Sequence, residues 1–106
     1  MTEILSLENF DKVLKENNNV VVDFSAVWCG PCQKMKPLYH KFEKETRFNN
    51  IKFCVVDIDK CEEIADKYKI TSLPTFLFFK SEELYATVIG SNIHKVEDHL
   101  ISLSKI

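Results

Sequence analysis

The chain has 106 residues, 45% hydrophobic and 28% charged, with 14 Lys and Arg against 16 Asp and Glu. That size and balance fit one globular domain spanning residues 1–106, with a core large enough to fold without staples. A formal charge of −2 gives no electrostatic pull towards nucleic acid or an anionic membrane, and no apolar run approaches the roughly 20 residues that span a bilayer.

The N-terminus has no basic region followed by an apolar one, so no signal peptide is expected. The default setting is then a reducing compartment, where thiols stay free. Residues 2–5 are expected to form a short edge strand. Ser6 is the cap of a helix that presents Leu7, Phe10, Val13 and Leu14 on one face, and polar Asn17–Asn19 ends it. Val20–Ser25 is a continuous run of the kind covered on both faces of a parallel sheet, with one carboxylate, Asp23, inside it. Met35, Leu38 and Phe42 recur at helical spacing, and Pro37 should kink that helix.

Residues 51–59 read as a second buried strand. Asp59 followed by Glu62 has the form of a capping box, opening a helix that buries Ile64, Ala65 and Tyr68. Residues 72–79 begin a third strand and residues 84–90 form a fourth. The short Lys80–Glu83 connection makes these two an antiparallel hairpin. Asn92 is the candidate cap of a closing helix marked by Ile93, Val96, Leu100 and Leu103. The order βαβαβαββα implies an α/β fold, a mixed central sheet with helices on both faces.

Cys29 and Cys32 are separated by Gly30 and Pro31. Zinc needs four ligands, but Cys54 and Cys61 lie on different elements and His40, His94 and His99 are scattered, so no metal is expected. Gln33 in place of a histidine excludes covalent haem attachment. As a staple, a bridge across two residues removes little unfolded-state entropy. Redox catalysis fits better, because the pair sits where a buried strand meets a helix start. Free backbone N–H groups and the helix dipole there favour a thiolate at Cys29. Pro31 suits a first turn, and Gly30 allows a tight turn and an accessible sulfur. Lowering a thiol pKa from about 8.5 to about 7 raises the thiolate fraction roughly sixteenfold but lowers nucleophilicity about fivefold, a net gain of about threefold. Acidity alone is a modest effect, so placing the second thiol and docking a substrate must supply most of the rate.

"WCGPC" (28–32) after "VVVDFSA", with "PTFLFF" downstream and a late Gly90, closely resembles the thioredoxin family over essentially the whole chain. The resemblance implies a general protein-disulfide reductase, an electron carrier without a cofactor of its own. Its partners would be oxidised client proteins and a separate NADPH-dependent thioredoxin reductase, and it would act as a cytoplasmic monomer. Cys29 would be the exposed nucleophile and Cys32 the buried resolving thiol. Asp23 matches the family's buried carboxylate, which moves a proton to and from Cys32 through water; burial should raise its pKa. Pro74 matches a cis-proline beside the site, which turns the backbone of Leu73 towards substrate. Trp28, Gly30, Pro31 and Gly90 match the docking groove.

Four departures stand out. Val55 replaces a lysine that bacterial relatives place near the aspartate, and "KSEEL" (80–84) lacks the usual hairpin glycine. Cys61 is an extra cysteine without its usual companion, since residue 68 is Tyr; it remains a candidate regulatory thiol near a helix start. Ser72 stands where some animal members have a cysteine that pairs two copies. Two other readings fit the same fold. One is a secretory oxidase or isomerase, disfavoured because Pro31 stands where that class has His; the other is a non-catalytic docking module.

Overall fold

In the computed structural model, which describes residues 1–105, the chain runs through nine main elements. They are β1 (Thr2–Glu3), α1 (Leu7–Glu16), β2 (Asn19–Ser25), α2 (Gly30–Lys44), β3 (Lys52–Asp57), α3 (Glu62–Lys67), β4 (Thr75–Lys80), β5 (Glu83–Ile89) and α4 (Ile93–Ser104). The sheet order is β1-β3-β2-β4-β5, with β1, β3 and β2 parallel, β4 antiparallel to β2 and β5 antiparallel to β4. Every residue of the central β2 is buried, which is why its sequence is apolar without alternation.

Strand alternation divides the core into two layers. Val20, Val22 and Phe24 pack with Phe10, Val13 and Leu14 of α1 and Ile64 of α3. Val21 points to the other side, among Met35, Tyr39 and Phe42 of α2 and Val96, Leu100 and Leu103 of α4. By the same alternation Asp23 faces the α2 side. Two caps act as the sequence suggests: Ser6 Oγ accepts from the Asn9 N–H at 3.0 Å, and Asn92 Oδ1 from the Lys95 N–H at 3.1 Å.

Other local expectations are corrected. The capping box at Asp59 does not form: α3 begins at Glu62, its cap position is Cys61, and no side chain caps it. Asp57 Oδ1 instead accepts from the Asp59 N–H at 2.9 Å, ending the strand in a turn and leaving the Asp59 carboxylate free for another partner. In α3 Ile64 is fully buried and Ala65 half-buried, and Tyr68, at the C-cap position, is half-buried too. Leu38 is 43% exposed and Tyr39 takes the inward position, because its hydroxyl reaches the carbonyls of Cys54 (2.7 Å) and Val21 (3.1 Å) between the strands.

The helix carrying Pro37 runs through it to Lys44, although proline supplies no N–H for the Gln33 carbonyl. A 3-10 turn at Thr46–Phe48 was not anticipated; Phe48 fixes it by packing edge-on against Phe42. The hairpin without glycine turns through Ser81 and Glu82, both at positive φ (48° and 72°), and the ladder is irregular between Phe78 and Phe79. Among the described residues no helix is long and apolar enough to cross a membrane.

Candidate active site

Cys29 is the N-cap of α2, and Cys32 lies in its first turn. The two are joined as a disulfide, Cα to Cα 5.3 Å, and the Cys32 N–H donates to Cys29 Sγ at 3.3 Å. A helix-start donor therefore points at the sulfur on which negative charge would develop. Cys29 keeps 7% of its surface exposed and Cys32 only 1%, so the expected exposed nucleophile is itself largely buried in the disulfide form, though less so than its partner. A Cβ at Gly30 would meet nothing within 4 Å and its φ is not positive. The turn itself therefore does not require glycine; what glycine does is leave the approach to Cys29 clear.

A cleft of about 510 Å³ runs beside the disulfide, bounded by Trp28, Cys29, Gly30 and Pro31 on one side and Ile58, Ile70, Thr71 and Leu73 on the other. Trp28 is 67% exposed, and its indole N–H donates to Asp59 at 2.7 Å. The carboxylate freed by the missing capping box thus holds the indole at the rim. The Leu73–Pro74 peptide bond is cis. Pro74 and Gly90, expected in the groove, are not among the residues that line this cleft, although Pro74 follows Leu73 directly. Pro74 is buried, and its carbonyl accepts from the Gly90 N–H at 2.8 Å, with Gly90 at φ +92°, a conformation suited to glycine.

Asp23 is 1% exposed and its Oδ1 has no hydrogen-bond partner among the described residues. Burial pushes the carboxyl from its ordinary 3.8 up to about 7, and the positive charge of Lys36 opposes that rise. Val55 is its register partner on β3 and Phe76 on β4, so neither residue directly opposite it carries a charge. Lys36 supplies one from α2, one turn beyond Cys32. Sequence reasoning missed it by looking for the cation on the strand of Val55. Lys36 also lines a small cavity of about 150 Å³ with Ser25 and Val55, immediate neighbours of Asp23 in the sheet.

Cys54 is fully buried, with its thiol pushed up to about 12 by burial. Cys61, the candidate regulatory thiol, is 3% exposed and donates to the Ile4 carbonyl at 3.4 Å. That contact anchors the segment after β1 to the start of α3, and burial and then Glu63 raise the thiol's pKa. No cluster of three or more His, Cys, Asp or Glu side chains arranged for metal binding occurs among the described residues.

A dithiol–disulfide pair at a helix start, beside an apolar cleft and a buried carboxyl, defines the class as thiol–disulfide oxidoreductase. The Thioredoxin family model matches residues 1–102. Thioredoxin of Oryctolagus cuniculus is 41% identical over 97 residues, covering 90% of each chain. Among solved structures, Plasmodium falciparum thioredoxin has a TM-score of 0.90 at 32% identity, covering 96% of this chain and 98% of that one. Oxidised mitochondrial thioredoxin 3 of Saccharomyces cerevisiae has a TM-score of 0.92 at 32% identity, covering 97% and 95%. The chain belongs to the thioredoxin family, and its Cys29–Cys32 pair makes it a protein-disulfide oxidoreductase.

Proposed function

We propose that the protein is a general reductase that delivers two electrons per turnover to oxidised client proteins. The Cys29 thiolate attacks one sulfur of a client disulfide, forms a mixed disulfide and expels the client's other sulfur as a thiolate. Cys32 then gives up its proton and attacks Cys29 Sγ. The client leaves with both cysteines reduced, and the Cys29–Cys32 disulfide forms. A separate NADPH-dependent thioredoxin reductase returns the two electrons.

Asp23 takes the proton from Cys32, with water as carrier, and passes it on to the departing thiolate. A carboxyl titrating at about 7 populates both forms at neutral pH, as a reversible proton carrier must. Trp28, Gly30, Pro31, Leu73, Pro74 and Gly90 form the groove that docks the client, and the Gly90 N–H holds the Pro74 carbonyl in place. Among the described residues neither the N–H nor the C=O of Leu73 has an intramolecular backbone partner, which leaves both for the client's main chain. The protein works as a monomer in the cytoplasm, a setting that suits the two free thiols Cys54 and Cys61.

The observation that carries this reading is the Cys29–Cys32 pair at the start of α2, opening on the apolar cleft. Cys32→Ser tests it: the variant should accumulate a mixed disulfide at Cys29 with oxidised insulin chains and lose turnover. Unchanged biological activity in that variant would favour a docking module instead.

A further inference from the structure

On the face of the sheet covered by α1 and α3, the cover stops short of the edge strand. Leu84, Thr87 and Ile89 of β5 pair with Phe79, Leu77 and Thr75 of β4 and share their face. Leu77 and Phe79 are buried in the core beneath α1 and α3, yet Leu84 is 52% and Ile89 66% exposed. Tyr68, packed edge-on against Phe79 with centroids 5.7 Å apart, forms the wall at which the cover ends. The result is a cleft of about 210 Å³ between β5 and residues 68–72. Apart from Lys69 its lining is apolar or hydroxyl-bearing. It is smaller than the roughly 300–1,000 Å³ that house whole small molecules, a size suited to one large side chain.

This cleft adjoins the one beside the disulfide, with Ile70 and Thr71 lining both. We propose that it is a second client pocket, taking one apolar side chain from the polypeptide that flanks the attacked cysteine. The inference rests on the reading that Cys29 attacks a client docked along Leu73. A strand laid there alternates its side chains and advances about 3.3 Å per residue, so a residue a few positions from the cysteine passes the Ile70–Thr71 wall. Apolar burial at that position adds affinity for unfolded or loop segments, with a preference no small disulfide can display.

The test uses reduced protein and synthetic peptides carrying one disulfide, with Leu or Ser placed in turn at each position within about six residues of the attacked cysteine. At one position Leu should react about tenfold faster than Ser. That ratio should fall to about two or less in Leu84→Lys and in Thr87→Lys, and being internal to each protein it is immune to any loss of folded material. The proposal is overturned if no position has a ratio that drops in either variant. It is equally overturned if Leu84→Lys abolishes a sedimenting dimer with no change in any ratio, since the face then pairs two copies. Cys32→Ser with the same peptides separates the two levels: no mixed disulfide at Cys29 defeats the attack itself, whereas adducts without a sensitive position defeat the pocket alone.

Discussion

Replacing Asp23 by Asn removes an ionisable group while keeping its shape, and the effect on stability follows from burial. In the unfolded chain the carboxyl ionises near 3.8, whereas in the folded protein it keeps its proton up to about 7. Between those values the unfolded state binds fewer protons, so the native protein loses stability as pH rises, and above about 7 the loss is complete. At 1.36 kcal/mol per pH unit the interval amounts to about 4 kcal/mol. Asp23→Asn in the oxidised form should therefore match the parent near pH 4 and exceed it by about 4 kcal/mol at pH 8 to 9. Guanidinium titrations across that range measure it, and ionisations common to both proteins cancel in the difference. Adding Lys36→Met to the parent should extend the falling limb above pH 7, because the charge that opposes the rise is gone. A difference curve flat from pH 4 to 9 would refute the reasoning.

In turnover, Asp23→Asn should slow resolution of the mixed disulfide about 100-fold at pH 7, seen as accumulation of the Cys29 adduct in rapid acid-quench experiments. Tyr39→Phe, which leaves the buried Cys54 carbonyl without the hydroxyl, should cost about 1–2 kcal/mol by denaturant unfolding. Asp59→Ala frees the indole of Trp28, and should raise KM for a peptide disulfide several-fold, more than it lowers kcat. With Cys54 and Cys61 both buried, a thiol reagent should modify neither in the folded oxidised protein and both after denaturation; rapid labelling of Cys61 would contradict its anchoring role.

The parts legible in the sequence were those set by local chemistry or strong periodicity. Ser6 and Asn92 cap helices because an oxygen three residues before a free N–H needs nothing from elsewhere. The run Val20–Ser25 announced a strand buried on both faces, and the cysteine pair at its end announced the site. What failed depended on contacts distant in sequence. Asp59 has the form of a cap, but Trp28, 31 residues away, claims its carboxylate. Leu38 and Tyr39 both satisfy helical spacing, and only the strand carbonyls of Val21 and Cys54 choose Tyr39. The cleft walls Ile58, Ile70 and Thr71 carry no motif; they meet Cys29 because β3 and the loop before β4 end on the same side of the sheet.

Lys36 shows how the missing strand lysine is compensated. Acidifying a thiol from about 8.5 to about 7 gives only about a threefold advantage, so the second thiol and its proton carrier matter more to the rate. Cys32 and Lys36 stand four residues apart on α2, close to one face of that helix, and Asp23 faces α2 from β2. One helix turn therefore carries both the resolving thiol and the cation that limits the carboxyl's rise. With a lysine on β3 the tuning charge would sit on an element apart from the redox pair; with Val55 there, helix and strand hold the relay between them. The carboxyl's cost in stability above pH 4 and its usefulness near pH 7 have one origin, a buried group whose countercharge comes from the helix that also presents Cys32.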